Sequence, residues 1–289
     1  MLKRVMLFII TNLMVMILIS IIISLLGIDP SLTAGYQGLA IMCLLWGSVG
    51  SFISLMISKW SAKRMMGLIE LDPNGSHGYV VDIIKEFARR EKIQMPEVYY
   101  YESEELNAFA TGPSRNNSLI AFSSGLLRDM NKDEIIGVAA HELAHITNGD
   151  MVTMTLVQGI VNAFVMFIAR VVAIAIDNAL KSDDEGEGLG FFAYFILINV
   201  LQAVFGLLTA PVVAWFSRQR EFRADAGGAR LAGKDKMIAA LQALDNKFSI
   251  DRLDNSEPSL SAMKISGKGI MALLSTHPPI AKRIAALKS

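Results

Sequence analysis

Four long apolar runs divide the chain, and the stretches between and after them carry shorter amphipathic periods. Residues 5–26, VMLFIITNLMVMILISIIISLL, hold no charge and match the roughly 20 residues that a bilayer-crossing helix needs. A loop from Gly27 to Tyr36 separates them from a second run at 38–58. The third run, 151–176, is interrupted by Gln158, Asn162 and Arg170, and the fourth covers 191–216. From 59 to 150 the periods shorten. Val80, Val81, Ile83, Ile84, Phe87 and Ala88 form a helical stripe after the loop Asp72-Pro73-Asn74-Gly75-Ser76. Glu97 to Tyr101, Asn107 to Thr111 and Ser118 to Phe122 read as strands of a small antiparallel sheet. A helix follows from Asn131, an N-cap whose capping-box partner is Glu134, to the stop at Asn148-Gly149. Beyond residue 233 the pattern predicts a helix over Lys234 to Phe248, a polar loop over Ser249 to Ser261 and a closing helix over Pro279 to Leu287.

Composition agrees with a membrane protein. Of 289 residues 53% are hydrophobic and 16 are Met, more apolar material than a soluble globule of this size needs. Net charge is zero, which gives no bulk attraction to nucleic acid. The single cysteine, Cys43, excludes an intrachain disulfide.

The basic residues orient the runs. Lys3 and Arg4 precede the first; Lys59, Lys63 and Arg64 follow the second; Arg218, Arg220 and Arg223 follow the fourth. The turn of the first pair lacks Lys and Arg. That of the second holds Asp183, Asp184, Glu185 and Glu187 against Lys181. Both pairs therefore read as hairpins that leave the cytoplasm and return to it, with both termini cytoplasmic. Without a small-residue cleavage site the first run is an uncleaved span. Gln158, Asn162, Asn199 and Gln202 are expected to hydrogen-bond between helices, and Arg170 to snorkel. The organisation expected is a hairpin over 1–58, a soluble part over 59–150, a second hairpin over 151–216 and a second soluble part over 217–289.

Candidate chemistry sits in His141-Glu142-Leu143-Ala144-His145. Histidines four apart on a helix share a face, and two imidazoles there can bind one zinc with a carboxylate beside them. A third ligand comes from Glu221-Phe222-Arg223-Ala224-Asp225, directly after the fourth run. A hairpin over 151–216 returns the chain to the side it left, so the two motifs become neighbours, as if on successive helices of one domain. His141, His145 and Glu221 then form a His₂Glu set with one position left for water. Glu142 is the general base that takes a proton from water and passes it to a leaving amine. Asp225, one turn after Glu221, can accept the free ring N–H of a ligating histidine. Of the other histidines, His77 opens a helix as a surface or capping residue, and His277 stands in a loop before two prolines. A transporter or a non-cleaving, chaperone-like scaffold with a structural zinc are the competing classes. Few intramembrane charges argue against the first, and Glu142, which mere binding does not require, against the second.

HELAH at 141–145, EFRAD at 221–225, NAFATG at 107–112 and STHPP at 275–279, with two membrane hairpins, resemble the HtpX family. These are bacterial membrane zinc metalloproteases related to the CAAX prenyl endopeptidase and to mitochondrial inner-membrane quality-control peptidases. The resemblance implies an α-helical inner-membrane protein of four transmembrane helices with a cytoplasmic zincin-like α+β metalloprotease domain. It implies a gluzincin-type endopeptidase with one Zn²⁺ per chain. Its substrates would be unfolded, misfolded or damaged membrane proteins, degraded in quality control and stress response, and self-cleavage is also implied. It further assigns Asn107, Ala108, Phe109 and Ala110 to an edge strand that binds substrate backbone. His277 would lie near the metal, where it stabilises the oxyanion or regulates access.

Overall fold

The computed structural model describes residues 30–181, 188–254 and 275–289, with side chains over 35–181, 188–247 and 275–289. The run expected to span at 5–26 and the acidic residues Asp183, Asp184, Glu185 and Glu187 lie outside the described residues. The elements are α1 (Pro30–Met66), β1 (Ile69–Glu70), α2 (Gly78–Arg90), β2 (Glu97–Tyr101), β3 (Ala108–Ser114) and β4 (Asn117–Ser123). They continue with α3 (Ser124–Asp129), α4 (Lys132–Asn148), α5 (Asp150–Leu180), α6 (Phe191–Ala232), α7 (Lys234–Asp254) and α8 (Ile280–Lys288).

Among the described residues three helices are long and apolar enough to cross a membrane: Gly35–Met66, Asp150–Leu180 and Phe191–Ala232. All three outrun their apolar windows. α1 starts at Pro30, inside the expected loop, because proline suits a first helical turn. α6 runs unbroken from the apolar window through EFRAD to Ala232. A change from apolar to charged side chains alters the solvent a helix prefers without interrupting its backbone hydrogen bonds. For the same reason α7 continues past Phe248 to Asp254.

By its internal contacts the chain forms two units. One comprises the chain up to Ile53 with Thr155–Val213. Here α1 and α5 meet through small residues: a Cβ on Gly47 would lie 2.8 Å from Ala163 N and Gly159 O. Ala40 and Cys43 pack with Phe167 and Val171 beside this contact. Among the described residues, some of the amides expected to bond between helices have partners in their own helix. Gln158 donates to Asn162 and Asn199 donates to the Phe195 carbonyl, each within its own helix. One turn of helix puts a partner within reach at no cost in chain ordering. Arg170, half-buried, donates to the Met166 carbonyl.

The other unit, Ser54–Met154 with Ala214–Ser289, carries a four-stranded sheet in the order β1-β2-β4-β3. The sheet is mixed rather than antiparallel: β3 and β4 form the expected hairpin, but β2 runs parallel to β4, from Glu97↔Leu119 to Tyr101↔Ser123. The residues joining β2 to β3 cause this. Ser103 O accepts from Gly125 N and from Ser124 Oγ, and Ser123 Oγ accepts from Asn107 N and donates to Glu105 O. The chain is thereby pinned across the end of β4 and returns on its far side, which leaves β3 at a sheet edge. Alternation along β4 sends Ile120 and Phe122 into the main core and Leu119 and Ala121 into a smaller cluster with Tyr101. α2 covers the main core with Val80, Ile84, Phe87 and Ala88. α4 runs through the middle of it, with every residue from Ile135 to Ala144 buried. At Gly137 an added Cβ would stand 2.4 Å from the Lys236 carbonyl oxygen, so α4 and α7 touch backbone to backbone.

Candidate metal centre

α4 is positioned at both ends. Asn131 Oδ1 accepts from the Asp133 and Glu134 amides while Glu134 Oε2 accepts from Asn131 N, the full capping box. At the other end Gly149 adopts φ 66°, a left-handed conformation that glycine enters without steric cost. That reversal starts α5 at once, so Asp150 turns back toward the last turn of α4. Its Oδ2 lies 2.8 Å from His145 Nδ1, and Asp150 is 1% exposed.

The second motif arrives on α6. Glu221 and Asp225, one turn apart, are both buried and face α4. Two glycines allow the approach: a Cβ on Gly227 would be 2.8 Å from Ala144 Cβ, and one on Gly228 3.2 Å from His141 N. His141 Nδ1 stands 3.0 Å from Asp225 Oδ1, an ion-pair contact without the aligned hydrogen bond that His145 Nδ1 makes with Asp150. Each imidazole thus turns Nδ1 to a carboxylate and Nε2 inward.

The inward atoms converge. His145 Nε2 is 3.1 Å from His141 Nε2, His141 Nε2 is 3.6 Å from Glu221 Oε2, and His145 Nε2 is 3.4 Å from Glu221 Oε1. Four ligands about 2.0–2.1 Å from a tetrahedral ion stand roughly 3.3–3.4 Å apart. The three donors therefore fit a divalent cation. Nδ1 of each imidazole faces a carboxylate, so in the neutral rings both Nε2 lone pairs point into the space between them, and one cation there can take both. Glu221 Oε2, buried without an aligned hydrogen bond, has acceptor capacity left for the same ion.

The electrostatics agree. Burial alone would lower the pKa of His145, but Asp150 and Glu221 outweigh it and push it up to about 9. His141 is likewise raised against its burial by Asp225 and Glu221. Burial acts to raise the Glu221 carboxyl, yet the three histidines around it hold it well below the usual carboxylate range. A field that favours protonated imidazole also favours a bound dication.

Other expected residues gather around this centre. Glu142, 8% exposed, lines a cavity of about 230 Å³ together with His141, Glu221 and His277. The floor is apolar, built from Val138, Met237, Leu241 and Leu244, and one rim is formed by Leu106, Asn107 and Ala108. His277 has an exposed side chain whose Nδ1 lies 3.0 Å from Glu221 Oε2. Phe109 does not join them: its ring packs 5.8 Å from that of Tyr101, on the other face of the sheet. Ala110 contacts the core. His77 sits at the N-cap of α2, away from the cavity, with Nε2 2.9 Å from the Leu127 carbonyl oxygen.

Two residues of the site were not singled out from the sequence. Asp150 had one signal, its position directly after a glycine that ends the HELAH helix. Arg283 had none. From α8 it donates Nε to Asp225 Oδ2 at 2.8 Å and Nη2 to Asp225 Oδ1 at 2.6 Å, and it is 6% exposed. Burial acts to raise the Asp225 carboxyl, but Arg283 and His141 outweigh it and hold it below its ordinary value.

Comparison with known proteins agrees with this geometry. Residues 75–289 match the model of peptidase family M48. Protease HtpX of Shewanella piezotolerans is 51% identical over 291 residues, and the match covers 99% of each chain. Protease HtpX of Shewanella oneidensis is also 51% identical over 99% of each. Among solved structures, Ste24p of S. mikatae superposes with a TM-score of 0.61 at 19% identity. That likeness is one of fold; it covers 94% of this chain, which spans 66% of the length of Ste24p.

Proposed function

We propose, since the chain belongs to peptidase family M48, that it is a membrane-bound zinc endopeptidase cleaving misfolded or damaged membrane proteins at the cytoplasmic face of the inner membrane. The protein is a membrane metalloprotease, a hydrolase. The finer statements are our reading: the metal is zinc, one per chain, held by His141, His145 and Glu221. When bound, zinc supplies Lewis acidity to the scissile carbonyl and to water.

The chain's own residues do the rest. Glu142 takes a proton from water as its oxygen adds to the carbonyl carbon; when the C–N bond breaks, that proton goes to the leaving amine. Asp225 and Asp150 hold His141 and His145 with Nε2 inward. Substrate backbone lies along the outer edge of β3, where Asn107 and Ala108 border the cavity. His277, facing the same cavity, stabilises the carbonyl oxygen as charge builds on it. The apolar floor suits the side chains of membrane proteins, consistent with a role in quality control and stress response.

The observation that carries this reading is the convergence of two Nε2 atoms and a buried carboxylate beside Glu142, on a cavity open to an edge strand. For topology we adopt four spans, the first at 5–26, with both termini cytoplasmic. Hairpins over 1–58 and 151–216 then carry one protease domain assembled from 59–150 and 217–289.

The test compares casein cleavage by wild type and Glu142→Ala, purified with zinc in detergent without protease inhibitors. Equal cleavage would sink the catalytic assignment and leave the scaffold reading. Wild type should hold about one zinc per chain and Glu221→Ala should lose most of it; full occupancy in that variant would remove Glu221 from the ligand set.

A further inference from the structure

We propose that Arg283 is a positioning residue of the metal centre, acting through Asp225 to hold His141, so that the C-terminal helix α8 controls metal affinity. The inference rests on the metal-site reading above.

The geometry forms one chain of contacts. Arg283 grips both oxygens of Asp225, at 2.8 and 2.6 Å, and the oxygen that Nη2 holds, Oδ1, also stands 3.0 Å from His141 Nδ1. Its third nitrogen, Nη1, is 3.3 Å from Glu221 Oε2. A single guanidinium therefore borders both carboxylates that α6 brings to the site. Those carboxylates lie one turn apart on one helix, 2% and 1% exposed, so they repel each other with little water to screen them. A cation must sit near them for both to stay ionised and in place. Arg283 is that cation.

Arginine suits the task better than lysine. Its planar fork matches both carboxylate oxygens at once and fixes the plane of Asp225, and so the position of the charged oxygen that faces His141 Nδ1. A lysine would keep the charge but hold one oxygen and leave that plane free to rotate. Fastening α8 to the domain does not by itself require Arg283, because Leu287 already anchors the helix in the main core. Nor does fastening account for Nη1 reaching a metal ligand.

The experiment measures zinc dissociation constants by competition with a chromophoric chelator. It uses full-length wild type, Arg283→Gln, Arg283→Lys, Asp225→Asn and the double variant Arg283→Gln/Asp225→Asn. Circular dichroism checks folding, and the visible spectrum of the cobalt-substituted protein reports on ligand geometry. Loss of the partner that orients a ligating histidine should weaken zinc binding about 10–100-fold, so Arg283→Gln and Asp225→Asn should both fall in that range. Arg283→Lys should lie between Arg283→Gln and wild type. If Arg283 acts mainly through Asp225, the loss in the double variant falls well short of the product of the two single losses, the remainder being the Nη1 contact with Glu221, and the cobalt spectrum of Arg283→Gln shifts. Folded Arg283 variants with the wild-type zinc constant and cobalt spectrum would overturn the inference while leaving the metal site standing. Fully additive losses in the double variant would also overturn it. Should Arg283→Gln fail to fold, Arg283→Lys carries the same comparison. Wild type that binds no zinc would overturn the metal reading and this inference together.

Discussion

Asp150→Asn isolates one charge at the centre while keeping the shape of the side chain. In the structure the carboxylate is 1% exposed and lies 2.8 Å from His145 Nδ1. Asparagine can still accept that hydrogen through its amide oxygen, but without charge. A hydrogen bond to a charged group contributes about 1.5–3 kcal/mol and a neutral one about 0.5–1.5 kcal/mol. The difference, about 1–1.5 kcal/mol, corresponds to roughly a tenfold weaker zinc constant. Asp150→Ala should cost more. It leaves a buried ring N–H with no acceptor, a further ~1–3 kcal/mol, although part of that falls on stability rather than binding. The expected order is wild type, Asn about tenfold weaker, Ala up to about a hundredfold weaker, read by chelator competition on protein whose helicity is unchanged. Asp133→Asn is the control, since Asp133 lies on the same helix with its side chain 62% exposed. If Asp150→Asn binds zinc within about twofold of wild type, or if Asp133→Asn loses as much, Asp150 does not orient His145 and the pairing of each imidazole with its own carboxylate is wrong.

Three more expectations follow from the same contacts. Gly137→Ala gains about 1 kcal/mol of helix propensity, but its Cβ would stand 2.4 Å from the Lys236 carbonyl oxygen, a backbone atom that cannot swing aside. Overpacking of about 1–3 kcal/mol or more should win, and a thermal midpoint equal to or above wild type would show that α4 and α7 are not in backbone contact. Gly149→Ala should both destabilise the protein, by about 1 kcal/mol for a left-handed non-glycine residue, and weaken zinc binding by turning Asp150 away; lost stability with an unchanged zinc constant would separate the turn from the metal. Glu97 joins α1 to the sheet through Lys59 at 2.9 Å and Lys63 at 2.7 Å. Burial acts to raise its carboxyl, but Lys63 and Lys59 outweigh it and hold it below its ordinary value. A depressed carboxylate contributes its stability fully above the unfolded value of about 4.3 and loses it as pH falls through the folded value. With the Glu97 side chain 45% exposed, that contribution is a fraction of a kcal/mol and salt-sensitive. Glu97→Gln should therefore soften acid destabilisation at low salt and make no difference at high salt; identical acid profiles at low salt would rule the contact out.

Much of this protein was legible along the chain because it rests on local periods. Apolar runs of bilayer length, histidines four apart and a carboxylate pair four apart each express a helical repeat, and the repeat alone puts the residues on one face. The capping box at Asn131 and the stop at Gly149 are equally local, and both stand where the residues predict. The centre draws on two motifs 76 residues apart, and charge alone indicated that the intervening run should return the chain to its starting side.

What only the tertiary structure decided has no such period. The sheet order came from Ser123 and Ser124 pinning a connection across the end of β4, so that β2 lies parallel to β4 and β3 is the last strand of the sheet among the described residues. Phe109 stands in β3 as the edge-strand reading expects, and strand alternation turns its ring to the face opposite the cavity. Asp150 depends on the direction of a turn, and Arg283 on where a nine-residue helix packs. A buried charge is stabilised by whichever partner the fold delivers, and Coulomb attraction acts on distance in space, to which separation along the chain is no guide.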